Sequence, residues 1–357
     1  MIKRLFNRND NIAILIAGIF SIIIGLGVAR FAFTGLIPAM LDDYLTIKFV
    51  GILASLNFAG YLSGSIFSIF VKDINFKVYL YRFGIFLAIS TTFILAYSDN
   101  NTLWMIGRVL AGFAGAMCLI VGTSIVMQKL TIKSKTKAMG IHFSGIGFSI
   151  LTTDLLARFV LSLNYSWRDS WAVLAVFAII LSLYSVYILS FDKEVKQNAV
   201  KVKFDISIFT PFVIVLIIAY FTEGVGFVVQ ATFLPDIINN LKGLEGYGSL
   251  TWTLVGVAGI PSCIIWMLLA HRFGSSNIII IALLLQAVGI LIPAFSSNIY
   301  LNLLSGVLYG GTFIGLVALF MNLGGQLSRG NPVVLMGAMT SSYGIGQVIA
   351  PLYSVYF

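Results

Sequence analysis

Charged side chains are scarce in this sequence: Asp, Glu, Lys and Arg make up 10% of it, whereas soluble domains carry about a quarter. Hydrophobic residues make up 59%, and the mean hydropathy is +1.01. Such a composition excludes an ordinary soluble domain. Apolar runs of roughly 18 residues or more recur along the chain, and each can cross about 30 Å of hydrocarbon as a helix. The sequence therefore predicts an integral membrane protein.

Cysteine and histidine are also rare. Cys118 and Cys263 both fall in apolar runs, so we expect free thiols that fill space rather than a disulfide framework. His142 and His271 lie far apart, and the HxxxH, HExxH and CxxC spacings of metal sites do not occur, nor does a GxxxxGK nucleotide loop. We expect no metal, no cofactor, no use of ATP and no enzyme activity.

The apolar runs predict eleven membrane-spanning helices. We place them at residues 12–34, 48–71, 77–97, 102–128, 137–161, 169–190, 208–238, 247–270, 276–296, 299–327 and 333–357. A hydrophilic segment follows the sixth span, and it predicts an N-terminal six-helix bundle at 1–190, a cytoplasmic linker at 191–207 and a C-terminal bundle of five helices at 208–357. The expected fold class is an all-α polytopic membrane protein.

Basic residues give the chain a net charge of +9, and they are concentrated in alternate loops. Lys72, Lys133 and Lys196 belong to this set, whereas the intervening loops carry acids such as Asp42 and Asp236. Cytoplasmic loops of membrane proteins are enriched in Lys and Arg, so the pattern places the N-terminus in the cytoplasm. We expect a multi-pass protein of the bacterial inner membrane, surrounded by lipid, with no nucleic acid partner.

One motif occurs in the first span of each predicted bundle. GLGVARFAFTGLIP at 25–38 compares with GVGFVVQATFLP at 224–235, which is two residues shorter. Both begin with Gly-x-Gly, contain Phe and Thr side by side, and end with Pro. The repetition indicates that the chain consists of two related halves.

Several segments together resemble a known family. They are the run Arg30-Phe-Ala-Phe-Thr followed by Pro38, then GRVLAGFAGA at 107–116, SWRDSW at 166–171 and the segment 220–235. These residues resemble the YbfB-type branch of the major facilitator superfamily, over essentially the full chain. The resemblance implies two six-helix bundles and a secondary transporter.

The sequence departs from that family's pattern in two places. The signature usually found after the second span is reduced to Gly64 and the pair Lys72-Asp73, and the chain ends at Phe357 without a twelfth span. The missing span leaves open a truncated, inactive transporter as the alternative.

Two ionisable residues lie inside otherwise apolar spans. Arg30 falls in the outer half of the first span, and its planar group would suit a substrate carboxylate or phosphate in a central cavity. Alternatively, it reaches the outer interface or pairs permanently with an acid. Glu223 falls near the midplane of the seventh span, as a proton carrier would; its alternatives are a structural hydrogen bond or a fixed bridge to Arg30.

The candidate site combines these charges with nearby polar residues. We predict that Arg30, Thr34, Tyr220 and Gln230 bind substrate, and that Glu223 couples transport to protons.

A second group of charges is expected to form a structural or coupling ion pair. Arg108 and Asp154 fall at similar depth in neighbouring antiparallel spans, and Arg158 follows Asp154 at the i,i+4 spacing. Substrate or proton binding is the alternative for this group. His142, near the cytoplasmic start of the fifth span, is expected to make a polar contact there.

The predicted function is a secondary active transporter that moves a small organic solute by alternating access, coupled to protons and acting as a monomer. The alternatives are the truncated, inactive transporter and an efflux pump for amphipathic compounds.

Overall fold

The computed structural model describes residues 6–71, 73–131, 135–190, 209–327 and 332–354. Every regular element within these ranges is a helix, and none of them contains a strand. The predicted all-α class is therefore confirmed.

Eleven long helices follow one another in the described ranges. In chain order they are α1 (Asn11–Leu41), α2 (Ile47–Phe70), α3 (Ile74–Tyr97), α4 (Asn101–Lys129), α5 (Lys135–Ser162), α6 (Trp167–Ile188), α7 (Pro211–Asn239), α8 (Tyr247–Phe273), α9 (Ser275–Phe295), α10 (Ile299–Leu327) and α11 (Pro332–Ser354).

Ten of the helices in the described residues, α1 to α10, are long and apolar enough to cross a membrane. α11 contains 23 residues but is not among these ten. The structure thus supports ten of the eleven predicted spans by length and composition. The division into six and five spans and the bundle boundaries remain predictions, because the linker at 191–207 lies outside the described residues.

Polar residues in the loops fix where several helices begin. In each case a side-chain oxygen accepts a hydrogen bond from a backbone N–H of the first turn, which would otherwise lack a partner. The capping residues are Asp10, Thr46, Asp73, Asn100, Ser166 and Thr210. Ser166 and Asp169 form a complete capping box at the start of α6.

The centres of α1 and α4 are π-helical, over Ile23–Phe31 and Met117–Val121. A π-helix bonds residue i to i+5, which makes it wider than an α-helix, and such segments are frequent at functional sites. The two wide segments contact each other, since a Cβ atom added to Gly25 would lie 2.3 Å from the Cβ of Cys118. Both cysteines are buried free thiols, as predicted.

Glycines allow other helices to approach closely. A Cβ atom added to Gly60 of α2 would lie 2.0 Å from the carbonyl oxygen of Val109, and one added to Gly112 of α4 would lie 1.8 Å from that of Asn57. The backbones of α2 and α4 therefore touch, which is typical of small residues between membrane helices.

Buried apolar side chains form two clusters. One lies within α1–α6 and extends to Phe233 of α7, and the other lies within α7–α11 and extends to Phe31 and Phe58 of the first half. We call α1–α6 and α7–α11 the two halves. Between them, α1 contacts α7, α2 contacts α11 and α5 contacts α8.

Candidate functional site

The side chain of Arg30 lies among aromatic rings at the boundary between the halves. Its guanidinium carbon is 4.3 Å from the ring centre of Phe58, 5.3 Å from Phe31, 5.4 Å from Tyr61 and 5.6 Å from Phe227. The π-helical segment of α1 ends at Phe31 and carries Arg30 into this position. A cation over the face of an aromatic ring is attracted by the ring quadrupole.

The guanidinium group of Arg30 has unused hydrogen-bond donors. Its Nε and Nη2 atoms are buried and have no partner, and the ion pairs within the described residues do not include it. Within the described residues, the group thus lies among aromatic rings and is not joined to an acid by an ion pair.

Arg30 faces a small pocket between α1, α2, α4 and α7. Its lining consists of Arg30, Phe33, Thr34, Ala54, Asn57, Phe58, Arg108, Ala231 and Thr232. The pocket leaves about 10 Å³ for the centre of a water molecule, which is room for about one water. This lining contains two guanidinium groups and no carboxylate, so the pocket is positively charged.

Arg108 is the second cation of the pocket, and its donors bind backbone oxygens. Nη1 donates to the carbonyl of Ala29 at 3.1 Å, and Nε donates to that of Leu53 at 3.4 Å. The Asn57 amide also donates to the Ala29 carbonyl, at 3.4 Å, and to the Arg108 carbonyl, at 3.1 Å. Arg108 and Asn57 thus hold the π-helical segment beside Arg30.

The structure places Asp154 with Arg158 and not with Arg108. Arg158 Nε lies 4.0 Å from Asp154 Oδ2, and the Thr253 hydroxyl of α8 donates to the same carboxylate. Arg158 Nη1 also lies 3.3 Å from the Ser249 hydroxyl of α8. These contacts join α5 to α8 across the boundary of the halves.

The halves are also joined near the end of α1. The Thr34 hydroxyl donates to the Ala231 carbonyl of α7. This bond and the group around Asp154 both lie towards the end of the bundle at which α1 finishes, which we call the Leu41 end. The pocket is therefore closed on that side by direct contacts between the halves.

Glu223 is buried on α7, with 5% of its surface exposed. Its Oε1 accepts a hydrogen bond from the Gln286 amide at 3.4 Å, whereas Oε2 is buried without a partner. Arg30 does not form an ion pair with it, but Tyr309 and Tyr343 lie within electrostatic range of both charges. Both tyrosines are therefore near the two charges that the sequence singles out.

Tyr220 and Gln230, the other predicted substrate ligands, differ in position. Tyr220 lies near Glu223, with its ring stacked between Phe320 at 4.4 Å and Tyr343 at 4.5 Å. The Gln230 amide donates to the Ile290 carbonyl of α9 at 3.2 Å, and Gln230 does not line the pocket of Arg30. His142 makes its predicted polar contact, at 2.8 Å from the Thr123 hydroxyl.

Sequence reasoning did not select the rings around Arg30. Phe58 and Phe227 are ordinary residues of apolar spans, and only a three-dimensional structure shows that both face one arginine. Asn57 and Tyr61 differ from these phenylalanines, because the sequence already marks them, as polar groups within an apolar helix, among the candidates for lining a cavity.

The helical fold of the chain is similar to that of several solved transporters. Solved structures with a similar fold include the nucleoside transporter NupG, with 13% identity, a TM-score of 0.72, and coverage of 98% of this chain and 91% of that one. The xylose transporter XylE from E. coli is 13% identical, with a TM-score of 0.71 and coverage of 96% of this chain and 90% of that one. A bacterial homologue of the human lysosomal transporter Spinster is 14% identical, with a TM-score of 0.68 and coverage of 97% of this chain and 82% of that one. At these identities the likeness shows the fold.

The family follows from the sequence itself. Residues 22–356 match the family described as uncharacterised MFS-type transporter YbfB, and the chain belongs to that family. The resemblance found in the sequence is confirmed. The protein is accordingly a multi-pass secondary transporter that takes a small-molecule solute.

Proposed function

We propose that the protein moves a small organic solute across the cell membrane, coupled to protons, by alternating access to the pocket beside Arg30. The observation that carries this proposal is the unpaired cation of Arg30, which lies between the halves with its Nε and Nη2 atoms buried and faces a pocket whose lining contains no acid. A charged group inside a membrane protein is costly unless it is paired or functional. A ligand that supplies the missing negative charge accounts for it.

The position of Glu223 supports proton coupling. An ionised carboxylate buried without a cation is unfavourable, whereas a protonated carboxyl can remain beside the Gln286 amide. The gain or loss of one proton at Glu223 therefore strongly changes the free energy of the structure described above, in which the halves are in contact. This is the property that a coupling residue needs.

The contacts between the halves support alternating access. The pocket holds about one water molecule, so a solute can enter only when the halves separate. Their polar contacts at the Leu41 end are few and involve single hydrogen bonds. If the basic loops face the cytoplasm, the Leu41 end is the external side, and opening there alternates with opening towards the cytoplasm.

Replacing Glu223 tests the coupling. In proteoliposomes with an imposed pH gradient, we expect the Glu223→Gln variant to lose acceleration of solute uptake by the gradient. Exchange of labelled for unlabelled solute should persist, because glutamine keeps the shape of the protonated carboxyl and its hydrogen bonding to Gln286. The measurement is uptake of a panel of labelled organic acids, sugars and amides, with and without the gradient.

Glu245→Gln is the matched control, because Glu245 is an exposed loop residue and its substitution removes the same charge. This control should behave as the wild type does. Uptake by Glu223→Gln that still responds to the pH gradient would show that Glu223 is not the coupling residue.

A further inference from the structure

We infer that the solute is a monocarboxylate with a compact apolar body, and that its carboxylate binds side-on to Nε and Nη2 of Arg30. This inference rests on the proposed function and specifies the chemistry of its substrate. It follows from three properties of the pocket: which donors are open, what charge the lining carries, and what surfaces surround the guanidinium group.

The buried donors of Arg30 form one edge of the guanidinium plane. Nε and Nη2 are its two fully buried nitrogens, neither of which has a partner, and their N–H bonds are parallel on that edge. A carboxylate fits such an edge with both of its oxygens, one on each N–H. A lysine could not offer this paired geometry.

The charge of the lining requires an anion. Arg30 and Arg108 both line the pocket, and no acidic residue does so. Arg108 is held by the carbonyls of Ala29 and Leu53, so its orientation is fixed and Arg30 remains the group with a free edge. One free edge fits one carboxylate group.

Apolar rings lie against the guanidinium group, although the pocket lining also includes the polar residues Thr34, Asn57 and Thr232. Phe31, Phe58 and Phe227 surround the guanidinium group, and Phe33 and Ala54 also line the pocket. Thr34 and Asn57 already donate to backbone carbonyls. A phosphate or a dicarboxylate would therefore bury further charged oxygens with few donors left for them, which is costly. An apolar body would instead contact the rings, so the walls select for it.

The experiment compares acids with uncharged analogues of the same shape. Binding of benzoate, isovalerate, benzamide, isovaleramide, phthalate and inorganic phosphate to the purified full-length protein in detergent is measured by thermal shift and by titration calorimetry. We expect the two monocarboxylates to bind at least about tenfold more tightly than their amides, and phthalate and phosphate to bind more weakly than benzoate.

Two variants test the role of the arginine. Arg30→Lys keeps the charge but removes the paired donors, so the affinity for benzoate should fall at least about tenfold. Arg82→Lys is the matched control, because Arg82 is an exposed residue of α3 in the same half, and it should leave the affinity unchanged. The comparison of acid with amide uses only wild-type protein, so it stands even if Arg30→Lys fails to fold.

The outcomes separate this inference from the proposed function. Amides that bind as well as acids, phosphate or phthalate that binds better than benzoate, or an Arg30→Lys variant with full affinity would each overturn the assigned substrate class. None of them would affect the result for Glu223. Conversely, Arg30-dependent binding of benzoate without any transport driven by the pH gradient would refute coupled transport and leave the binding site in place.

Discussion

Arg30 and Arg108 line the same pocket, but their guanidinium groups are bonded differently. Arg108 donates to two backbone carbonyls, and Arg30 has two buried nitrogens without a partner. Removing a donor leaves a buried carbonyl unsatisfied, whereas removing an unpaired buried charge relieves an unfavourable arrangement. The sign of the change in stability therefore depends on which of the two arginines is replaced.

This difference gives a prediction for stability. Arg108→Met should lower the free energy of unfolding by about 1–3 kcal/mol, because the carbonyls of Ala29 and Leu53 each lose the hydrogen bond from Arg108, although that of Ala29 keeps the one from Asn57. Arg30→Met should leave stability unchanged or raise it, while abolishing binding of the solute. Thermal unfolding of both variants in the same detergent makes the comparison. Equal losses in the two variants would contradict it.

Single residues could be predicted from the sequence only where a charge interrupts an apolar span. This signal finds Arg30, Arg108, Asp154 and Glu223, because each is costly in a membrane wherever its side chain points. Their partners could not be predicted, since the i,i+4 spacing correctly joins Arg158 to Asp154 but equal depth does not join Arg108 to it. Similar depth in the membrane fixes only one of the three coordinates that decide whether two side chains are in contact.

At the scale of helices, α2 and α4 pack with their backbones in contact at Gly60 and Gly112. A methyl group at position 112 would overlap the carbonyl oxygen of Asn57, and neither backbone can move without moving the other helix. Since Asn57 also holds the π-helical segment of α1, this contact supports the pocket.

Gly112→Ala should therefore reduce stability by at least about 2 kcal/mol and weaken binding at Arg30. Gly107→Ala in the same helix is the matched control, because its nearest neighbour is a side-chain carbon of Ile94 at 3.7 Å. We expect the control to unfold at the wild-type temperature. A Gly112→Ala protein as stable as Gly107→Ala would mean that the two helices are not tightly packed.

Helices could be predicted from the sequence more fully than their packing. Hydropathy predicts where the spans lie, and the polar caps at the helix starts are residues of types that favour such positions. Glycines alone do not locate the close contacts between helices, because Gly60 lies against the backbone of Val109, whereas the nearest atom to a Cβ added at Gly311 would be Ala258 Cβ at 3.9 Å. The π-helical centres have no clear signal, because their hydrogen-bond shift depends on partners in other helices.

At the scale of the whole molecule, a few polar contacts at the Leu41 end hold the halves together. Arg158 of α5 and Ser249 of α8 form one of them, at 3.3 Å, outside the pocket. Under alternating access these residues must separate in every transport cycle.

Linking them should stop transport. In a protein with Arg158→Cys and Ser249→Cys, a bifunctional thiol reagent about as long as an arginine side chain should abolish uptake, and a reductant that cleaves the reagent should restore it. The two single substitutions treated with the same reagent are the controls. Full uptake by completely linked protein would rule out separation of the halves at this end.

The division into two halves could be predicted from the repeated motif, but the contacts between the two copies of the motif could not. Aligning the two copies of the motif at their first glycines pairs Gly25 with Gly224. This alignment does not show that the two helices that carry the motif meet at Thr34 and Ala231. Contacts between distant parts of a chain depend on the complete packing, which no short pattern contains.

The widened centre of α1 explains why the two copies of the motif differ in length. Each π turn contains about one residue more than an α turn, so nine residues at Ile23–Phe31 accommodate about two additional residues. Counted back from Pro38 and Pro235, the counterpart of Thr34 is then Ala231, and that of Arg30 is Phe227. Both pairs are in contact, as equivalent positions of two related halves would be if they lay beside an approximate two-fold axis. The two copies thus bring counterpart positions together, where one copy carries the cation of Arg30 and the other carries the ring of Phe227 that faces it.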